Sequence, residues 1–350
     1  MRSVISAFSL TFALILFAGC SGSMQGGQLP SIPSGGIQSH NLAGPASLSP
    51  MPKATMLPPL PTGPRPAGWL AEKVKQNYSG PLLYVSEEYA SEVLIYPENG
   101  YLSCPIGLIT SGVSEPYGLY VDQNGNLYVA NQSGTVTVYP PGSVTPSATY
   151  SQDLGRPLYA IVDQYGDLFV GNGNGGSNGG SVVEYPAGST TASNILQTPG
   201  TEVDGMDFDQ QGNLYVAYRD GSGNGSVDEF APGSTQGQIL GMTLVQPQGL
   251  IVDNKGNIVV ALTGSSSTDD VVVFPPGATN PKFTLKLPGG SVPTQIAMTA
   301  DQKTLFVTSF PDEFIYHVAY PITKKSHWKL SDQTPYPDNQ GIALSNGQTF

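Results

Sequence analysis

Apolar and polar positions along the chain fall into a repeating figure: a short apolar run, a polar turn, and a second apolar run. It is clearest in GLYVDQNGNLYVAN, residues 118–131, and returns as AIVDQYGDLFVGN (160–172), MDFDQQGNLYVAY (206–218) and LIVDNKGNIVVAL (250–262), with a weaker copy, IAMTADQKTLFVTS, at 296–309. The turn acids Asp122, Asp163, Asp209 and Asp253 stand 41, 46 and 44 residues apart. A period of about 40 to 50 residues is that of a four-stranded propeller blade. A third apolar run follows in each unit, VTVYPPGS (136–143), VVEYPAGS (182–189), VDEFAPGS (227–234) and VVVFPPGA (271–278). Short β-branched and aromatic runs closed by Gly, Pro, Asn and Asp are strand and turn signals. A fourth, outer strand is expected from Ser147, Asn194, Gln238 and Lys282.

The two ends of the chain set the blade count. LLYVS (82–86) and VLIYP (93–97) match second and third strands that no first strand precedes, and GIALSNGQTF (341–350) matches a first strand and its turn. Together they complete one blade. The expected fold is all-β: a six-bladed β-propeller over residues 81–350, its first blade closed by the C-terminal strand, Gly341 to Phe350. Such closure leaves no long open edge at the seam.

Ahead of the repeats the pattern changes. Residues 1–19 have a basic Arg2, an apolar run from Val4 to Phe17 and small closing residues, the form of a secretory signal. The run is shorter than the roughly 20 apolar residues that span a bilayer. Residues 20–66 are Gly, Pro and Ser with hardly a charge, so they read as a disordered linker. A coil of that length reaches roughly 40 Å. Residues 67–80, around Trp69, are expected to cap the first blade.

Composition narrows the partners. There are 26 Asp and Glu against 14 Lys and Arg, a net charge of −12, which argues against nucleic acid, since phosphate binding needs clustered bases. The chain has two cysteines, Cys20 and Cys104, and Cys104 is expected to be a small buried residue. A monomer is expected, and no cofactor, with calcium the one alternative.

Phe17-Ala18-Gly19-Cys20 resembles the lipobox of bacterial lipoproteins, although Phe17 stands where Leu is usual. The resemblance implies cleavage before Cys20, a diacylglycerol anchor on it, and an exported, lipid-anchored place in the cell envelope, at the outer membrane or cell surface; the periplasmic side is the alternative. The repeats themselves resemble NHL-repeat and TolB-like six-bladed propellers, and the pairing of LYVAN with VYPPGS resembles surface lipoproteins of the propeller type. That superfamily also holds streptogramin lyase, gluconolactonase and related calcium-dependent lactone hydrolases, so it implies a fold and leaves activity open.

The candidate chemistry lies where loops preceding the first strands and following the second strands meet at one end of the channel. The candidate ligand-binding rim is Glu87, Tyr117, Asn131, Arg156, Tyr159, Asn172, Asp204, Tyr218 and Arg219. It is acidic and aromatic, suited to a glycan, a peptide or a protein partner, and equally to solvated loops. By resemblance, a lactonase-like calcium site would draw oxygens from Glu87 or Glu88, Asn131, Asn172 and Asp204. Lyase chemistry of the streptogramin type needs a histidine, and His40 is in the linker while His317 and His327 belong to outer strands. The repeated Asp-x-x-Gly-Asn reads as a turn rather than a metal site, because Asp bonds nearby amides and Gly accepts positive φ. No nucleophile elbow, Cys–His pair, HExxH or P-loop occurs. The expected function is non-enzymatic binding or scaffolding on a membrane-anchored propeller, with a calcium-dependent hydrolase or lyase as the alternative.

Overall fold

Six antiparallel sheets are arranged around a central channel, in a computed structural model that describes residues 80–98, 105–173, 179–264, 270–288, 291–310, 314–333 and 338–345. Cys20, Cys104, the expected signal and linker (1–66) and the expected cap (67–80), Gly80 excepted, lie outside the described residues. Among the described residues there is no helix.

Blade 2 shows how the repeat folds. The first apolar run is the inner strand β4 (Pro116–Val121), the second is β5 (Leu127–Asn131), the third is β6 (Thr135–Tyr139), and β7 (Ala148–Tyr150) is the outer edge. The turn between β4 and β5 is held by one carboxylate. Asp122 Oδ1 accepts from the amides of Asn124 and Asn126, both at 2.8 Å, Asp122 Oδ2 accepts from Asn126 Nδ2 at 2.8 Å, and Gly125 takes φ 81°. Asp209 and Asp253 repeat this arrangement with Asn213 and Asn257. The recurring acids are therefore turn residues.

The remaining inner strands are β8 (Pro157–Val162), β12 (Glu202–Phe208), β17 (Pro247–Val252) and β21 (Val292–Met298), in blades 3 to 6. In blade 1 the inner strand is the C-terminal β25 (Asn339–Leu344), paired with β1 (Leu82–Glu87), while β2 (Glu92–Pro97) and β3 (Gly107–Ile109) complete the sheet. The expected closure is thus present. Val85 pairs with Ile342, and Ser345 fastens the seam by accepting from the Leu82 amide at 2.8 Å.

Each interface between neighbouring blades carries its own apolar cluster. Blades 1 and 2 pack through Tyr84, Ile95, Leu119, Val129 and Tyr139, and blades 6 and 1 through Phe306, Ile315, Val85 and Ile342. Burying one such side chain stabilises the fold by roughly 1.5–3 kcal/mol. Tyr139, fully buried, also donates to the Ser111 carbonyl at 2.7 Å, which accounts for the repeated Tyr-Pro pair as inter-blade packing.

Near the start of every inner strand the ladder is interrupted by a bulge, for instance between Pro116 and Leu119 and between Val203 and Gly205. A bulge adds one residue and re-aims the side chains beside it. Here inner strands also press together. A Cβ on Gly341 would overlap the Tyr117 carbonyl oxygen, and one on Gly205 would lie 2.6 Å from the Leu250 amide nitrogen. Small residues at these points let the channel narrow, and the bulges decide which side chains line its mouth.

Candidate functional site

At the end where inner strands begin, five blades contribute polar side chains to one mouth. The channel beneath them is barred: Tyr117 OH on β4 donates to Gln248 Oε1 on β17 at 3.0 Å, joining blades that face each other across the ring. Further in, Gln295 on β21 accepts from the Ile342 amide at 2.7 Å and bonds both backbone groups of Leu119 at 3.4 Å. Tyr159 on β8 packs edge-on to Tyr117, with ring centroids 6.1 Å apart.

Above this floor the charges interlock. Glu202 begins β12 and Arg219 ends β13 (Leu214–Arg219), so antiparallel register places them opposite each other. Arg219 Nη2 lies 2.9 Å from Glu202 Oε1 and Arg219 Nε lies 3.4 Å from Asp204 Oδ1. From blade 3, Arg156 Nη1 approaches the same Glu202 oxygen at 3.6 Å, while its Nε donates to Gln132 Oε1 at 2.8 Å. From blade 1, Glu88 accepts from Gln340 Nε2 at 2.9 Å. Burial deepens from the outside in: the Arg156 side chain is 39% exposed and that of Asp204 2%.

Burial governs the protonation of this cluster. It pushes the Asp204 carboxyl well above the usual carboxylate range despite the opposing Arg219, and it raises Glu88 against the pull of Gln132 and Arg156. Tyr117 and Tyr159 are raised by burial too, and by the nearby acids, so both remain neutral donors. Burial alone would lower Arg219, but Asp204 and Glu202 more than restore it. Among the deeply buried atoms that have no hydrogen-bond partner in the protein are Asp204 Oδ2 and the Tyr159 hydroxyl. An unpaired buried polar atom costs about 1–3 kcal/mol, so such atoms are places where a ligand gains most.

Of the candidate rim residues, Tyr117, Arg156, Tyr159, Asp204 and Arg219 come together here. Asn131 and Asn172 do not join them. Asn131 Oδ1 accepts from the Ser114 amide at 2.9 Å and its Nδ2 donates to Thr137 Oγ1 at 3.1 Å, while Asn172 Oδ1 accepts from the Gly155 amide at 3.1 Å. Both pin the loop entering their own blade. Tyr218 faces Ser226 and Asp228 within blade 4, and Glu87 is fully buried on β1. In the sequence reading Glu88 stands only as an alternative calcium oxygen, Glu202, Gln248 and Gln340 fall within rim loops without being chosen as ligand-binding residues, and Gln132 is not named.

The calcium alternative meets these positions directly. Calcium takes 6–8 oxygens, but the Asn131 and Asn172 carboxamides are engaged with loop backbone and a guanidinium stands between Glu202 and Asp204. Like unit charges 4 Å apart repel by about 4 kcal/mol at an effective dielectric of about 20, and a divalent ion doubles that. Among the described residues no three His, Cys, Asp or Glu side chains converge in a metal-holding arrangement. The residues present do not fit a calcium site.

The opposite end of the channel opens on a cavity of about 390 Å³ lined by Ile161, Met206, Ile296, Ile342 and Asp207. Its carboxyl is already engaged: Asp207 Oδ2 accepts from the Val252 amide at 2.8 Å and Oδ1 from the Phe208 amide at 2.9 Å. The unpaired polar groups favour the first mouth as the site.

Fold and mouth together define a six-bladed β-propeller with a polar site where its inner strands begin. The family model described as SMP-30/Gluconolactonase/LRE-like region matches residues 112–311, more than half of the chain, and the chain belongs to that family. Among solved structures, hydrazine synthase of Kuenenia stuttgartiensis is similar, with a TM-score of 0.53 and 15% identity over 69% of this chain and 77% of that one. A streptogramin B lyase structure aligns with a TM-score of 0.47 and 12% identity over 73% of this chain and 75% of that one. At these identities the likeness concerns the fold. No curated protein matches the sequence.

Proposed function

We propose that this chain is a non-catalytic binding propeller, tethered at the cell envelope through Cys20, whose channel mouth captures a neutral, hydroxyl-bearing ligand such as the end of a glycan. One observation carries the reading: Asp204 Oδ2 and the Tyr159 hydroxyl are deeply buried, have no protein partner, and sit beside fixed guanidinium donors. A sugar offers donors and acceptors on adjacent carbons, which suits that mixture, and the ring of Tyr117 gives it an apolar face. Charge supports a neutral ligand. Arg156 and Arg219 stand against Glu202 and Asp204, so these charges offset one another, and burial raises Glu88.

The lipobox-like Cys20 and the linker of residues 20–66 support the tether, holding the mouth clear of a lipid surface. A glycan microarray probed with the labelled full chain tests the reading. We expect selective retention of a few oligosaccharides, lost with Arg156→Ala. Uniform failure to retain any sugar, with binding to a peptide or protein instead, would replace the glycan with that partner.

Membership of a family described partly as gluconolactonase favours one other reading, a lactone hydrolase. Glu88, raised by burial, is the group such a reaction would use for proton transfer. Titrated acid release from aldonolactones, absent in Glu88→Gln, would establish hydrolysis and exclude the purely binding role.

A further inference from the structure

We infer that Arg219 is the resident cation of the channel mouth, so that ligand capture, on the binding reading above, proceeds without a divalent metal. The geometry of one guanidinium supports this. Arg219 spans the two buried carboxylates of β12, with Nη2 at 2.9 Å from Glu202 Oε1 and Nε at 3.4 Å from Asp204 Oδ1. Glu202 is shared with a second guanidinium, since Arg156 Nη1 reaches the same oxygen at 3.6 Å. These are the carboxylates a mouth-bound cation would need.

Arginine differs from a metal in ways that matter here. Its charge does not titrate in the accessible range and cannot dissociate, and its planar fork holds two acceptors in a fixed relation. By occupying Asp204 Oδ1, Arg219 leaves Asp204 Oδ2, a buried atom without a protein partner, as the acceptor for a ligand. The register that pairs Glu202 with Arg219 makes the arrangement part of the sheet rather than an adaptable surface contact.

Neighbouring groups agree. Gln132 holds Arg156 and Gln340 holds Glu88. A divalent ion entering the mouth would have to displace a guanidinium from two carboxylates and recruit Asn side chains already engaged with loop backbone. Removing the guanidinium while keeping the acids should create the cation site that it now fills.

The test uses the full chain, stripped with EDTA, and CaCl2 and MgCl2 as probes, read by thermal unfolding and calorimetric titration. It needs no glycan, so its failure is separate from failure of the binding reading. The wild-type Tm should move by no more than about 1 °C between EDTA and about 1 mM CaCl2, whereas Arg219→Ala should gain a saturable, chelator-reversible rise of several degrees. Adding Asp204→Asn to Arg219→Ala should abolish that rise. Should Arg219→Ala not fold, Arg219→Gln, which keeps volume and a donor, takes its place. Saturable calcium binding by the wild type would overturn the inference, and so would a folded Arg219 variant that acquires none.

Discussion

The Tyr117 hydroxyl and Gln248 Oε1, on opposite blades, meet at 3.0 Å and close the channel under the charged mouth. A through-channel would leave Arg156, Arg219 and their acids in free exchange with water. Gln295 lies beneath this bar, and Asp204 and Tyr159 are buried beside it.

That contact should be measurable as coupling. Tyr117→Phe removes the donor and leaves a buried acceptor on Gln248, at a cost of about 1–2 kcal/mol. In urea unfolding, a double-mutant cycle with Gln248→Ala should give a coupling of about 0.5–1.5 kcal/mol, and additive effects would show that the bar contributes nothing.

The turn acids make a contrasting prediction. Asp122 is 5% exposed and takes two backbone amides and one side-chain amide. Asp122→Ala should destabilise the chain by about 1–3 kcal/mol. Calcium should neither stabilise the wild type at this turn nor rescue the variant, as thermal unfolding in CaCl2 and in EDTA would report.

Stability should also depend on pH in a definite direction. Burial pushes Asp207 up to about 7 and Asp228 up to about 6, from ordinary values of 3.8. Between those limits the native chain holds more protons than the unfolded chain, so stability is highest at the acid end of the window and falls as pH rises toward 7. Denaturation at pH 5 and pH 8 should differ by roughly 1–3 kcal/mol from Asp207 alone. Asp207→Asn should shrink the difference, and an unchanged difference would remove Asp207 as its source.

Repetition explains what the sequence made legible. The Asp-x-x-Gly-Asn turns and the apolar runs recur in blade after blade because every blade solves the same packing problem, and the fragment at Gly341 had to complete the blade begun at Leu82. The same logic separates Asn131 and Asn172 from the site. Asn ends the second strand in two successive copies, LYVAN and LFVGN, and a residue repeated at one structural position serves the scaffold. Arg156, Glu202 and Arg219 occur once each, and these form the mouth. Gln132 goes unnamed, and Gln248 and Gln340 are not chosen from their rim loops, for another reason. They lie at or beside loop junctions and inner-strand bulges, where alternation of inward and outward side chains breaks, and an uncharged amide carries no signal of its own until the bulge aims it.

Calorimetric titration with the oligosaccharide best retained on the array tests the central claim most directly, comparing wild type, Asp204→Asn at the charged mouth and Asp207→Asn at the opposite cavity. Asp204→Asn should weaken binding by at least about tenfold, roughly 1.4 kcal/mol, while Asp207→Asn leaves it unchanged. Undiminished affinity in Asp204→Asn, or loss confined to Asp207→Asn, would place the ligand elsewhere and contradict that claim.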